Sequence, residues 1–514
     1  MAVQRVEVKN PVGMNYDLAP ADLPPNVWSS VRNVSFVNGK SSKCQGYSSV
    51  FGTTPANVSY LLQSIQAGNV YWYEATPTKI FRTTGTVHTD LTKASGDYTS
   101  GRWNGTVLND VIILNNSINN PQCLRVSDAK FLDLPNWPAT AKASVVRSYK
   151  NYLIALDVTK SGTKYETMVK WSAPADPGQV PSTWDETDPT NDAGEYSIAG
   201  IGGAIVDGSA LRNSFIIYKE GSVHSMTYVG GVFVFSFRSL FEDVGILSQN
   251  CVAEFDGNHF VVGQGDVYVH NGVQKKSVIH DKMRNYLFSQ IRSDAVASTF
   301  VVPDYQNNEM WVCFCSSDQN NMSITECDRA LVWNWREDTW TIRDVPLLSY
   351  AAYGVVDPQV SDSWNSAVGS WDTDASPWGE KNYNPAKLKI LMTSQTNDKI
   401  YSVGASSVAD GAAFTSFLEK ADISFGDDRN IKSVISISPQ VEGSGTMQFY
   451  IGTSPLQHGG YVTQGPYNFT IGQDYKIDFR AVGRYFKIRF SASSDASWKM
   501  NGYTFEVADT GGMR

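Results

Sequence analysis

The sequence predicts an all-β chain, in which a β-propeller-like repeat domain is followed by a C-terminal β-sandwich. Three observations indicate this class. Short runs of alternating apolar and polar residues, typical of half-buried strands, recur along residues 51–410. Aromatic residues, which favour strands, reach 12% of the chain. Seven further short alternating runs fill residues 415–514, which is about the strand content of one sandwich.

The clearest repeat is a hairpin over residues 329–344. Trp333 and Trp335 stand two apart on one strand face, a short polar break follows, and Trp340 resumes the alternation. This pattern predicts two antiparallel strands joined by a turn. A two-stranded hairpin is barely stable without a further layer on its apolar face. We therefore expect Trp333, Trp335 and Trp340 to form the core of one blade.

Weaker copies of this hairpin recur roughly every 40–60 residues, a period typical of radial repeats. Each has a polar residue or Asn, an apolar-rich run, a turn and a second apolar-rich run. The copies lie at residues 69–82, 110–126, 151–171, 213–228, 258–269 and 387–403. In a propeller, one blade cannot bury its faces without its neighbours, which explains such spacing. Stacked sandwiches are the alternative architecture.

Residues 1–50 are expected to form an N-terminal segment that joins the assembly. The first residues alternate like a strand. Pro24 and Pro25 precede a stretch in which we expect one short helix with Trp28 on one side, because proline is tolerated in a first helical turn. A strand and a tight Asn38-Gly39 turn follow.

One amphipathic helix is expected among the strands, at residues 279–291. Its apolar stripe consists of residues spaced four apart, namely Ile279, Met283, Leu287 and Ile291. Asp281 is placed for the first turn, and we expect His280 beside it to be structural and not catalytic.

Two long loops interrupt the repeats. Residues 184–195 are acidic, so a divalent-cation loop and a solvated loop are both open interpretations. Residues 357–385 hold Trp364, Trp371 and Trp378, each seven apart. A loop of this length is usually functional or packed against something. We expect these tryptophans to contact a neighbouring subunit, since Trp is enriched at interfaces, with packing onto the loop's own propeller as the alternative.

No motif specific for catalysis or for a cofactor is present: there is no nucleophile elbow, no H-E-x-x-H and no Walker A sequence. His259 and His270 lie in one predicted hairpin and could approach each other, which is a weak metal signal without a further ligand. Cys313 and Cys315 are expected to be buried thiols. Carboxylates are plentiful, so a glycosidase pair stays open. We expect no enzymatic activity, no cofactor and no metal.

The composition excludes several function classes. The net charge is −9, from 42 Lys and Arg against 51 Asp and Glu, which argues against a broad nucleic-acid-binding surface. No apolar run approaches the length of a membrane span, and the N-terminus has no signal-peptide core. Six cysteines are too few for a disulfide framework in 514 residues. We therefore expect synthesis and folding in a cytosol.

Three stretches carry loose motifs of aromatic and turn residues. The first runs from Leu23 to Gly39 and the second from Ala330 to Pro346. The third runs from Gly483 through Trp498 and Gly502 and continues as a predicted strand to the end of the sequence. Together they resemble the tail nozzle (tail tubular) proteins of short-tailed bacteriophages. The tryptophan-rich loop also resembles that family.

The resemblance implies a structural protein of the virion tail, made in the host cytoplasm. Nozzle proteins form a homohexameric tube below the portal and adaptor rings, through which the genome is ejected. The implied partners are further copies of the chain, the tail adaptor protein, tail fibre or needle proteins, and DNA that passes through the lumen without sequence-specific binding. An acidic ring fits this role, because it repels phosphate. The alternatives are a propeller-type glycan hydrolase, which needs perturbed carboxylates in a pocket on the axis, and a carbohydrate-binding tail module.

Overall fold

The computed structural model describes residues 3–66, 68–319, 321–356, 387–394, 398–404, 406–426 and 429–512. The all-β class is confirmed: the described chain is built from many small antiparallel sheets. The sheets form two bodies, a propeller and a sandwich.

The chain begins with five strands: β1 (Val3–Lys9), β2 (Ser30–Arg32), β3 (Val34–Val37), β4 (Lys40–Lys43) and β5 (Tyr47–Thr53). The short helix expected around Trp28 is absent from this described stretch, which has only a 3-10 turn at Pro20–Asp22. Ser30–Arg32 is extended because it pairs with residues 417–419, far along the chain. This distant pairing outweighs a weak local helix preference.

Five consecutive blades follow, each a sheet of four strands. Blade 1 is β6 (Tyr60–Gln66), β7 (Asn69–Ala75), β8 (Ile80–Thr84) and β9 (Val87–Asp90). Blade 2 is β10 (Asn104–Leu108), β11 (Val111–Asn115), β12 (Gln122–Leu124) and β13 (Leu132–Asp133). Blade 3 is β14 (Ala141–Tyr149), β15 (Tyr152–Lys160), β16 (Thr163–Trp171) and β17 (Gly194–Ser197). Blade 4 is β18 (Ile205–Leu211), β19 (Ser214–Lys219), β20 (Val223–Tyr228) and β21 (Phe235–Phe241), and blade 5 is β22 (Val252–Phe255), β23 (Asn258–Val262), β24 (Val267–His270) and β25 (Lys275–Ser277).

Blades 6 and 7 share one long strand. Their strands are β26 (Phe300–Asp304), β27 (Glu309–Phe314), β28 (Cys327–Asn334), β29 (Thr339–Val355), β30 (Leu388–Ser394) and β31 (Lys399–Val403). The first part of β29 pairs with β28 and the later part pairs with β30. The outer edge of blade 7 is completed by β5 from the N-terminal region, which pairs with β31.

The innermost strands contact one another in order around one axis, from β6 through β10, β14, β18, β22 and β26 to β29, which returns to β6. The described chain therefore forms a closed propeller of seven blades. Each of the seven hairpins identified in the sequence lies in a different blade. In blades 1 to 5, the hairpin consists of the two middle strands of the blade. In blade 7 it consists of the middle strands β30 and β31, and in blade 6 it consists of β28 and the start of β29.

Helix α1 (Arg284–Gln290) lies between blades 5 and 6 and is shorter than the predicted helix over 279–291. Asp281 has a φ of +58°, a left-handed backbone conformation that interrupts the helix there. The main-chain N–H groups of Arg284 and Asn285 are capped instead by the two carboxylate oxygens of Asp17, each at 2.9 Å. The apolar residues 279, 283 and 287 are still buried, so the predicted stripe faces the core.

The sandwich contains β32 (Ser416–Ile423), β33 (Asn430–Gly443), β34 (Thr446–Ser454), β35 (Val462–Thr470), β36 (Ile477–Gly483), β37 (Tyr485–Ala492) and β38 (Trp498–Gly512). One sheet has the order β3-β4-β38-β33-β36 with β1 also paired to β38, and the other has the order β2-β32-β37-β34-β35. Residues 1–50, expected to form an N-terminal segment that joins the assembly, contribute strands to both sheets of the sandwich. Strands β1 to β4 complete the C-terminal sandwich, because β1 and β4 pair with β38, β3 pairs with β4, and β2 pairs with β32.

The propeller is tied to the sandwich at β29. The Asn33 side-chain amide donates to the Asp344 carboxylate and its carbonyl oxygen accepts the Asp344 N–H, both at 2.8 Å. Arg32 adds a hydrogen bond of 2.8 Å to the same carboxylate. The Asn33 N–H donates to the Ile342 carbonyl. These bonds join two of the three stretches that carry the family resemblance.

Candidate functional site

A polar cluster lies on the propeller axis, where the innermost strands of the seven described blades meet. It borders a cavity of about 300 Å³ that is lined by residues from every blade. These include Tyr60 of β6, Thr106 of β10, Arg147 of β14, Asp207 of β18, Asn250 before β22, Val301 of β26 and Tyr350 of β29. The axis is the position at which a propeller hydrolase would hold its carboxylates, so the geometry of this cluster bears directly on catalysis.

Arg147 and Asp207 form a two-pronged ion pair at the centre of the cluster. The guanidinium Nε donates to Asp207 Oδ1 at 3.0 Å, and Nη2 donates to Oδ2 at 2.9 Å. The main-chain N–H of Gly208 donates to Oδ1 at 2.7 Å, and that of Asn250 donates to Oδ2 at 2.8 Å. Each carboxylate oxygen thus already accepts two hydrogen bonds. A general base needs an oxygen that faces substrate, and Asp207 offers none.

The ion pair also links neighbouring blades. Arg147 Nη1 donates to the Gly105 carbonyl of blade 2 at 3.3 Å, and Nη2 donates to the Asn250 side chain at 2.9 Å. Burial opposes the charge, but the Asp207 carboxylate raises the pKa of Arg147 above its usual range. For the Tyr60 hydroxyl, burial itself raises the pKa. The cluster therefore holds a charged pair and a neutral phenol, and its contacts bind blades 2 to 5 together.

This cluster was not identified in the sequence. Arg147 and Asp207 are separated by 60 residues, and each is one charged residue among many. Their position in the repeat could have identified them, because both residues lie on the innermost strand of a blade. That position can be recognised in the sequence only when the blade boundaries are known.

The predicted approach of His259 and His270 occurs, because the two residues are direct partners across β23 and β24. Both rings contact the Tyr218 hydroxyl, His259 through Nδ1 at 2.6 Å and His270 through Nε2 at 2.7 Å. His259 Nε2 lies 2.8 Å from the Ala210 carbonyl, which can only accept, so Nε2 carries the proton. The Gly272 N–H donates to His270 Nδ1 at 3.2 Å, so Nε2 of that ring carries the proton. Tyr218 consequently donates to His259 and accepts from His270.

Burial keeps both histidines neutral. It lowers the pKa of His259 to about 4 and that of His270 to about 3. Each of the four ring nitrogens has a protein partner, so none is left to bind a metal ion. In the described ranges of the chain, no cluster of three or more His, Cys, Asp or Glu residues is arranged to hold a metal.

Two of the five acidic side chains in the loop at residues 184–195, Glu186 and Glu195, are paired with lysines of blade 3. Lys160 Nζ lies 2.5 Å from a Glu195 oxygen and 3.0 Å from a Glu186 oxygen. Lys170, with a side chain only 1% exposed, contacts both glutamates. Burial works against the charge of Glu186, but its bonds to Lys170 and Lys160 lower its pKa to about 2. The carboxylates of Glu186 and Glu195 are thus bound by ammonium groups and are not free to bind a divalent cation.

Two of the three predicted core tryptophans pack on each other within blade 6, and Trp333 and Trp335 also contact blade 5. Trp333 and Trp340 are buried and stacked, with ring centroids 6.0 Å apart. Trp333 also stacks on Phe260 of blade 5 at 5.5 Å. Trp335 is only partly buried, because β28 ends at Asn334, and it packs against Phe255 of blade 5 at 5.2 Å. The first two are therefore core residues, and Trp335 belongs to the rim of the same contact.

Other residues singled out in the sequence have plainer outcomes. Cys313 and Cys315 are buried and free, and burial raises the pKa of both thiols. Trp364, Trp371 and Trp378, the candidate subunit interface, lie outside the described residues. None of the helices in the described part of the chain is long and apolar enough to cross a membrane.

No family model and no curated protein matches this chain. Among solved structures, it is similar to the extracellular domain of the hybrid two-component system BT3049 from B. thetaiotaomicron, with 11% identity and a TM-score of 0.36 over 80% of this chain and 47% of that one. It is also similar to the corresponding domain of BT4673 from the same organism, with 12% identity and a TM-score of 0.30 over 52% of this chain and 38% of that one. The chain spans less than half the length of either structure. These weak overlaps carry no argument about function.

Proposed function

We propose that the chain is a structural component of a bacteriophage tail, where a homohexameric ring of it forms the nozzle through which the genome leaves. The observation that carries this proposal is the convergence of the three resembling stretches. Asn33 of the first is bonded to Asp344 of the second. Trp28 of the first packs on Tyr503, at 5.8 Å, next to Gly502 of the third. Motifs scattered along the sequence thus form one contiguous unit at the junction of propeller and sandwich.

The axis of each propeller is too narrow to be the DNA path. The Arg147–Asp207 pair stands beside a cavity of only about 300 Å³, which has no room for a duplex. In the proposed ring, the lumen therefore lies between subunits and is lined by their outer surfaces. Each copy carries a net charge of −9, so a ring of them repels the phosphate backbone and lets DNA slide.

We also propose that the chain is not an enzyme. The axial carboxylate has both oxygens fully bonded, and the buried histidines have no free ring nitrogen. A glycan hydrolase would need an acid and a base that face a bound sugar. Neither group offers this chemistry.

Native mass spectrometry of the purified chain, alone and with the neighbouring tail proteins, tests the proposal. We expect a closed oligomer, most simply a hexamer, to form alone or when the adaptor is present. A chain that stays monomeric with all neighbouring tail proteins present would rule out the nozzle role.

A further inference from the structure

A second cavity, of about 340 Å³, opens on the outer face of the sandwich. It lies on the sheet β2-β32-β37-β34-β35, over the four strands β32, β37, β34 and β35. Its principal lining residues are Glu419 of β32, Lys487 and Arg489 of β37, Tyr450 and Gly452 of β34, and Thr463 of β35. Glu419, Arg489 and Tyr450 are direct neighbours across the strands, so one row of the sheet brings them together. The volume is within the range of pockets that bind small molecules.

The charges in this cavity are incompletely paired. Glu419 lies 3.5 Å from Lys487 Nζ and 3.7 Å from Arg489 Nη1, so both contacts are long. Two cations thus share one carboxylate, and the cavity is locally positive in a chain of net charge −9. The Arg489 guanidinium is held over the Phe417 ring at 4.0 Å, and it makes no hydrogen bond to the described residues of the protein. Such a group is well placed to bind an anionic ligand.

The Tyr461 ring forms an aromatic wall beside the cavity, and hydrogen bonds hold this ring in place. The Tyr461 hydroxyl donates to the Asp422 carboxylate, and the Asp422 N–H donates back to the same hydroxyl oxygen at 3.0 Å. Asp422 has a side chain only 2% exposed and also contacts His458 at 2.6 Å. Tyr461 lies against Gly452, where an added Cβ would come within 3.0 Å of the Tyr461 Cβ. The absence of a side chain at residue 452 therefore allows Tyr461 to approach the strand this closely.

We propose that this cavity binds a carboxylated sugar residue, such as a uronic acid of a surface polysaccharide. Lys487 and Arg489 would hold the carboxylate, and Glu419 and Thr463 would bond the sugar hydroxyls. The Tyr450 ring offers an apolar surface with a polar edge, which suits the face of a sugar. Charge complementarity selects this occupant over a neutral sugar. The inference does not depend on the nozzle role, since the cavity belongs to a single copy of the chain.

Titration of the full chain with D-glucuronate, followed by NMR or calorimetry, tests this proposal, with D-glucose as the matched neutral probe. We expect glucuronate to bind and glucose to bind at least about tenfold more weakly, a difference of about 1.4 kcal/mol. Arg489→Gln should weaken glucuronate binding by about tenfold or more. The control is Arg480→Gln, an exposed arginine on β36 of the opposite sheet, which should leave binding unchanged.

Three outcomes would overturn the proposal: no glucuronate binding, equal losses in the Arg489 and Arg480 variants, or sulfate binding as tightly as glucuronate. The last would indicate a simple anion site. If Arg489→Gln lowers the melting temperature, Lys487→Gln provides the second variant, because its ammonium group is partly exposed and is not packed on Phe417. The measurement is the same for a monomer and a ring, so its failure is separate from any failure of assembly.

Discussion

Among single residues, the two partners of the axial ion pair are expected to have a large effect on stability. Asp207 is 1% exposed and Arg147 is 14% exposed, and the pair contacts blades 2 to 5. Loss of one partner leaves the other charge buried without compensation. The pair therefore holds blades 2 to 5 together at the centre of the propeller.

Asp207→Asn should destabilise the fold by about 3–5 kcal/mol, the usual range when one partner of a buried ion pair is removed. Urea unfolding measures this free energy. The matched control is Arg5→Met, which removes an exposed pair with Glu506 and should cost less than about 1 kcal/mol. Equal effects of the two substitutions would show that the axial pair contributes no more to the free energy of unfolding than an exposed ion pair does.

The buried histidines make stability depend on pH. Their pKa values in the fold, about 4 for His259 and about 3 for His270, lie below the value of about 6.5 in an unfolded chain. The unfolded chain therefore takes up protons first as the pH falls. The histidines' contribution to stability is fully present above about pH 6.5. It is lost as the pH falls, down to about pH 4 for His259 and about pH 3 for His270, by on the order of 1 kcal/mol per pH unit for each histidine.

Unfolding by denaturant at a series of pH values measures this slope. His270→Gln should reduce the slope. His280→Gln should leave it unchanged, because His280 is 65% exposed. If the slope is the same in all three proteins, the neutral Tyr218–His259–His270 network is not its source.

The tryptophans of the blade 5 to blade 6 contact should differ in importance. Trp340 is 1% exposed and donates to the Val278 carbonyl at 3.3 Å, so Trp340→Ala should cost about 3–5 kcal/mol. Trp335→Ala should cost clearly less, because its ring is only partly buried. Melting temperatures of the two variants give the order, and a larger loss for Trp335 would contradict it.

Among the secondary-structure elements, the N-terminal strands complete both the propeller and the sandwich. The strand β5 completes blade 7, and β1 to β4 complete the sandwich. The seven hairpins, the helix stripe and the C-terminal sandwich could be predicted, because local alternation and spacing carry those signals. The closing role of β5 could not, since it depends on pairing between residues 47–53 and residues 399–403. The start of α1 was also missed, because Asp281 adopts a left-handed conformation that no periodicity reveals.

Deletion of residues 1–53 should prevent stable folding, because it removes the last strand of blade 7 and four strands of the sandwich. Deletion of residues 1–9 is the control. It removes only β1, a mostly exposed edge strand paired with β38, and should cause a modest loss. Circular dichroism and melting temperature measure both. A longer deletion that melts like the shorter one would show that the ends are dispensable.

In the proposed ring, the copies of the chain turn one surface inward, toward the lumen. A sliding duplex requires a surface that does not grip phosphate. We expect the lumen-facing residues of the ring to be net acidic or neutral. Mapping charged side chains on an experimental structure of the assembly tests this, and a continuous Lys and Arg belt around the lumen would indicate a gripping role instead.

Cryo-electron microscopy of the purified chain with its adaptor gives the decisive test of the proposed nozzle role. We predict a closed, most simply sixfold ring with a central opening wide enough for duplex DNA. In that ring, each propeller axis should remain filled by the Arg147–Asp207 cluster and lie off the ring centre. Isolated copies without a ring, or a ring whose opening is too narrow for a duplex, would contradict it.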